Sequence, residues 1–467
     1  MPGSEITRVW ADAERKVFWL DGPDAPGEEP PLSGATQADL AIVGGGFTGL
    51  WAAVQAKEDD PARDVVLLEK DTVAFGASGR NGGFCDASLT HGLANGVERF
   101  PDEIAEIEEH ARENFEGLRR AVREHQIGCD WRESGMLIVA RQPHELGWVR
   151  EAVGQLGTFG YRVEELDADQ TRAEVNSPTY LGSFWKRSGS AMIDPARLAW
   201  GLKRVALEMG VRIHERTAVT SMARDGAGVR LTARGGVVRA RRVILATNAF
   251  PPVVRATRRY VVPVYDYVLV TEPLSESRWA SIGWGNRQGV GDMPNQFHYY
   301  RVTADGRILW GGYDAVYHFG NGLDPRFEER PQTFDLLATH FFQTFPQLEG
   351  LRFSHRWAGA IDTCSRFSVF FGTALDRRVA YAAGYTGLGV GATRFGARVA
   401  LDLVNGSDTA RTRLRMVRRK PIPFPPEPLR YLGIQLTRRA LDRSDRRQGR
   451  RGPWLRLLDA VGLGFDS

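Results

Sequence analysis

The chain has 467 residues, a formal net charge of +4, and 42% hydrophobic and 25% charged residues; that balance excludes a largely disordered polypeptide and leaves room for two or three domains, or interleaved ones. No apolar run of about 18 residues occurs, which excludes a membrane-spanning helix, and the polar stretch 1–20 has no signal-peptide pattern, so a cytoplasmic, reduced protein is expected. Cys85, Cys129 and Cys364 are widely spaced and odd in number, which fits neither a disulfide framework nor a zinc site, and no metal centre is expected.

In chain order, residues 1–35 hold Pro23, Pro26, Pro30 and Pro31 among glycines and read as a surface arm. Residues 38–43 form a short apolar run of buried-strand type, ending in Gly44-Gly45-Gly46-Phe47-Thr48-Gly49. A helix is predicted over 50–57, then a second apolar run over 65–68 closed by Glu69. Residues 102–126 read as a charged helix, 136–140 and 163–165 as strands, 195–209 as a helix and 211–214 as a strand. Residues 229–233 and 237–240 alternate as a hairpin across Gly235-Gly236. A buried strand is predicted over 242–249, and antiparallel strands over 261–271 and 297–312. The last strand, 379–383, leads into the glycine turn 384–391 and a helix over 393–403.

Three motifs carry chemistry. In Gly44-x-Gly46-x-x-Gly49, the first glycine permits the tight turn, the second lets a pyrophosphate approach the backbone, and the third lets helix and strand pack closely. The following helix offers free N–H groups to phosphate. Glu69, 20 residues after Gly49, is placed to accept both ribose hydroxyls of an adenosine, and would repel a 2′-phosphate. The loop Gly76-Ala77-Ser78-Gly79-Arg80-Asn81-Gly82-Gly83 is small enough to pass close to a flat ligand. Within it, Arg80 can sit near phosphate and Asn81 can bond ligand carbonyls. The turn Gly384-Tyr385-Thr386-Gly387-Leu388-Gly389-Val390-Gly391 precedes another helix; its N–H groups suit a ring that gains negative charge on reduction, as a flavin does.

Together with VILATNA at 243–249, PVYDYVLVTEPL at 263–274 and YYRVTADGRILWGG at 299–312, these motifs resemble the D-amino-acid oxidase/glycine oxidase family of FAD-dependent oxidoreductases. The gamma-glutamylputrescine oxidase-like branch is the nearest in pattern. The resemblance implies an α/β fold: a Rossmann-like FAD-binding domain of discontinuous segments, plus an α+β substrate domain with a large, mostly antiparallel sheet. The expected FAD segments are 36–130, 191–255 and 351–409, with substrate segments 131–190 and 256–350 between them and a tail over 410–467. FAD contacts are expected from Gly44, Gly46, Phe47, Thr48, Gly49, Glu69, Lys70, Ser78, Gly79, Arg80, Asn81, Gly82, Gly83, Ala246, Thr247, Asn248, Gly384, Thr386, Gly387, Leu388, Gly389 and Val390. Cys85 and His91 lie in the flavin region, but the usual attachment patterns are absent, so the FAD is expected to be non-covalent.

The resemblance also implies oxidation of a C–N bond in an amine or amino acid by hydride transfer to flavin N5, with O2 as acceptor and H2O2 as product. A dehydrogenase acting on an amine or hydroxy acid with another acceptor, or a non-catalytic flavin-binding subunit, are the alternatives. Candidate pocket residues are His91, Tyr265, Tyr267, Tyr299, Arg301, Trp357 and Arg366, the two arginines as anion ligands. No general base stands out. Of the six lysines, Lys16, Lys57, Lys70, Lys186, Lys203 and Lys420, none falls on the two strands expected over the flavin.

The tail carries 15 Lys and Arg against 5 Asp and Glu, a local net of +10. It lacks the aromatic interleaving of a nucleic-acid binder, and no nucleic-acid partner is expected. After the extended spacer 421–428, leucines among arginines predict amphipathic helices. They are expected to dock on the chain's own FAD domain, with a homo-oligomer interface as the next reading and an anionic membrane surface as the third.

Overall fold

In the computed structural model, which describes residues 3–251 and 253–464, two large sheets share one cavity. The first has eight strands. Its parallel centre places Gly34–Val43 between Gly236–Leu245 and Val65–Leu68; Arg212–His214 continues one edge and Val379–Ala383 the other. These strands are short apolar runs because both faces are covered. Helices Phe47–Asp59, Pro195–Glu208 and Gly389–Asn405 bury Trp51, Leu202 and Val399 against or beside this layer.

The second sheet has nine strands. The order is Val316–Tyr317, Val262–Thr271, Ile308–Gly312, His298–Val302, Gly289–Asp292, Met136–Ala140, Gly182–Lys186, Val163–Leu166, and Phe353–Thr363 pairs along Val262–Thr271. Every pairing is antiparallel except Gly289–Asp292 with Met136–Ala140. Helix Pro331–Thr344 packs its Phe334, Leu337 and Phe341 into the core on one face; the other face meets the cavity. The expected fold class is therefore present.

Three expectations are corrected. Residues 353–363, assigned to the third FAD segment, form a strand of the second sheet; His355, Arg356 and Asp362 mask its strand pattern. The arm does not only lie on the surface: Trp10 and Trp19 are buried, and the Trp19 indole donates to the Asn81 carbonyl at 2.8 Å. The tail, with helices Leu429–Asp445 and Pro453–Ala460, docks on the second sheet's side as well as on the FAD segments, where Arg99 donates to the carbonyls of Gly462 and Gly464. Asp445 accepts from Asn295 Nδ2 at 2.6 Å and Gln296 N at 3.0 Å, and Arg430 donates to Asn321 at 2.7 Å. The spacer's prolines leave it extended, so the helices reach past the first sheet.

Candidate active site

The cavity holds about 1460 Å³, more than the roughly 300–1,000 Å³ of an ordinary small-ligand pocket. All the predicted FAD-contact residues line it except Gly49, Gly79, Gly83 and Gly384. Those four pack against the protein's own backbone or core. A Cβ on Gly49 would overlap the Gly44 carbonyl oxygen, and one on Gly384 would meet Cys364 Cβ at 2.9 Å.

The cradle suits a dinucleotide. Gly46 precedes the first turn of helix Phe47–Asp59, and a Cβ there would lie 2.8 Å from Ser78 Oγ. Ser78 Oγ accepts from Phe47 N at 2.9 Å, tying the flavin loop to the phosphate turn. Glu69 accepts from Gly45 N at 2.5 Å and Asp71 N at 2.8 Å; burial raises its pKa, and these two N–H groups oppose the rise. The first and third glycine motifs are joined where the Thr48 hydroxyl meets the Tyr385 hydroxyl at 2.9 Å. Gly44, Gly46, Glu69 and residues 385–390 thus form one continuous wall able to hold FAD.

The substrate side differs from the sequence reading. His91 and Tyr299 line the cavity; Tyr265, Tyr267, Arg301, Trp357 and Arg366 do not. Tyr265 and Tyr267 turn into the core of the second sheet, where Tyr267 donates to Phe327 O at 2.6 Å. Trp357 donates to Arg80 O at 2.9 Å. Neither arginine is an anion ligand. Arg301 is buried and donates to the carbonyls of Gly83, at 3.0 Å, and Ile193; Arg366 holds the carbonyls of Val369, Met416 and Arg419. Arg80, expected near phosphate, pairs with Glu328 at 2.7 Å and donates to Ala358 O at 2.9 Å.

Strand alternation put the two tyrosines on one face of Val262–Thr271, and the cavity faces the other. Asp266 lies there, half-buried, accepting a hydrogen bond from the Tyr299 hydroxyl. Burial pushes its carboxyl up to about 6, against the Tyr299 bond and the backbone N–H groups of Tyr267 and Gly312. The one acid between two tyrosines was the available signal.

Further wall residues were not anticipated. Lys186, on neither of the two strands expected over the flavin, nevertheless lines the cavity and pairs with Asp86 at 2.5 Å. Tyr161 donates to Glu108 at 2.6 Å; burial raises the Glu108 pKa and this bond opposes the rise. Burial works against the Asp292 carboxylate, yet Arg141 at 2.7 Å and His298 at 2.9 Å hold its pKa below the usual value. His91 is desolvated to a pKa of about 4, despite a backbone bond with Thr386, and is neutral at pH 7. Asp362 accepts from Gly384 N at 2.6 Å; burial lifts its pKa to about 7 against that bond.

All three thiols are buried; Cys85 is not on the cavity wall, and its burial raises its pKa well above the usual value. That geometry fits a non-covalent cofactor. Among the described residues, no helix is long and apolar enough to cross a membrane and no cluster could hold a metal ion.

Comparison with known proteins agrees with this cradle. The chain is 34% identical over 382 residues to gamma-glutamylputrescine oxidoreductase of Escherichia coli, covering 80% of this chain and 85% of that protein. It is 27% identical over 404 residues to the probable oxidoreductase OrdL of Haemophilus influenzae, covering 84% of this chain and 89% of that one. The fold matches the crystal structure of glycine oxidase from Geobacillus kaustophilus with a TM-score of 0.67 at 19% identity, covering 80% of this chain and 96% of that one. The DAO family model, described as FAD dependent oxidoreductase, matches residues 39–403; with the glycine cradle, the ribose acid and the two-sheet architecture, this chain belongs to that family of FAD-dependent oxidoreductases.

Proposed function

We propose that the chain oxidises a C–N bond in an amine or amino acid, giving an imine that water hydrolyses, with O2 as electron acceptor and H2O2 as second product. Asp266 carries the reading: a half-buried carboxyl with a pKa of about 6 on the cavity wall, held by Tyr299. Ionised, it takes a proton from an entering ammonium, and only the neutral amine has the lone pair that stabilises the developing imine. FAD bound in the cradle supplies the two-electron acceptor for the α-hydride. The chain's own residues bind, orient and desolvate. Tyr299 fixes the Asp266 carboxylate, and the apolar surroundings exclude water. Lys186 is a wall cation suited to stabilising negative charge that develops on O2. The 34% identity to gamma-glutamylputrescine oxidoreductase supports an amine donor.

Anaerobic mixing of the purified flavoprotein with amines, N-methyl amino acids, amino acids and hydroxy acids tests this reading. Bleaching of the flavin by amines or amino acids is expected. Bleaching by hydroxy acids alone, or by nothing in the panel, overturns it. Aerated buffer added to the reduced enzyme then tests the acceptor: reoxidation no faster than that of free reduced flavin removes O2 from the proposal.

A further inference from the structure

Part of the cavity is lined by residues that belong to no FAD motif. This wall includes Ile434 and Leu441 from helix Leu429–Asp445, and Leu458 from helix Pro453–Ala460. Leu93 and Leu156, from helices Gly92–Arg99 and Glu145–Thr158, also line it. The tail part of this wall is fastened in place. Asp445 is held by Asn295 and Gln296, Arg438 pairs with Asp314, and the Trp454 indole donates to Thr437 Oγ1 at 3.0 Å, joining the two tail helices. The family match ends at residue 403. The leucines of the tail therefore give the cavity an apolar wall from beyond the residues that the family model matches.

We infer that this tail-roofed vestibule binds a large apolar substituent of the substrate, so that the preferred donors are amines bearing an extended alkyl or aryl chain. The inference rests on the amine reading above and deepens it. The ammonium sits at Asp266, and the chain runs against Leu441 and Leu458. Each methylene moved from water into such a wall tightens binding about fourfold when fully buried. A polar or very small amine gains nothing there.

The test uses the FAD-loaded enzyme and two amines that have no hydrogen on the carbon bearing nitrogen, so that neither can be oxidised: tert-butylamine and 2-methyloctan-2-amine. Perturbation of the flavin absorbance on titration reads each Kd. The longer amine is expected to bind at least tenfold more tightly to the wild type. Leu441→Gln and Leu458→Gln, each checked for FAD content and Tm, are expected to erase most of that preference and leave the Kd of tert-butylamine unchanged. Equal affinities in the wild type, or a preference that survives in both folded variants, overturn the vestibule alone. No spectral response to either amine overturns the amine reading together with it. The wild-type ratio decides the matter even if a variant fails to fold.

Discussion

The Tyr299 hydroxyl reaches Asp266 across an intervening strand, and Gly311 is what lets it pass. Tyr299 and Asp266 lie on strands His298–Val302 and Val262–Thr271, with Ile308–Gly312 between them. Tyr299 is paired with Gly311, and a Cβ on Gly311 would sit 2.6 Å from the tyrosine hydroxyl. Any side chain there displaces the ring. The acid's orientation is thus set by a residue that carries no functional group.

Gly311→Val is expected to lower kcat/KM for amines about tenfold, as Tyr299→Phe does, because both leave Asp266 unrestrained. Steady-state rates of the two variants, measured at equal FAD content, check this. A Gly311→Val enzyme with wild-type kcat/KM would sever the link.

Asp266 with a pKa of about 6 predicts an acid limb in the pH profile of kcat/KM. Below pH 6 the carboxyl is protonated and cannot accept the ammonium proton, so activity falls; above it the carboxylate is ready. Asp266→Asn should lower kcat/KM by about 10²–10⁴ and abolish that limb. An unchanged limb in the variant would assign the titration to another group.

Glu69→Gln is expected to weaken FAD binding by about 10–100-fold, or about 1.4–2.7 kcal/mol, because it replaces a carboxylate that already accepts Gly45 N and Asp71 N. Fluorescence titration of the apoprotein with FAD measures it. NADP should bind neither form.

Arg301→Met should act on stability, not on substrate affinity. The guanidinium holds three backbone carbonyls, those of Gly83, Ile193 and Val302, and its loss costs about 3 kcal/mol. Thermal unfolding should shift down and FAD should leave more easily, while KM in the holo fraction stays constant. A raised KM at unchanged Tm would restore Arg301 as an anion ligand.

The three buried thiols should resist alkylation in the native state, since burial raises Cys129 to about 12 and the other two above their usual value. Labelling should appear only on unfolding, and acid precipitation should release all flavin into the supernatant. Yellow colour left in the pellet would contradict a non-covalent cofactor.

The nucleotide half was readable because its chemistry is made by backbone. Glycine spacing, a helix start and one acid specify Gly44, Gly46 and Glu69 without knowledge of any side-chain packing. The substrate half was not. Alternation showed that Tyr265 and Tyr267 oppose Asp266, but tyrosine suits either a core or a pocket, so the face toward the cavity stayed open. Arg301 shares a face with Tyr299, yet the carbonyls of Gly83 and Ile193 capture it. Lys186 was missed because Gly182–Lys186 was not read as a strand; its pairing with Met136–Ala140 brings it to the wall. The tail's helices were legible as amphipathic, but not the surface they would cover.

The contact between Thr48 and Tyr385 spans 337 positions of the chain, and that separation governs the order of events during synthesis. A ribosome that has just delivered the phosphate turn needs roughly 17–70 s more, at about 5–20 residues per second, before the second half of the cradle exists. Until then the nascent chain can offer FAD only one wall. Cofactor capture therefore comes late in translation or after it, and a transcript cut short before codon 385 yields a polypeptide with a complete phosphate turn and no means of closing around the flavin.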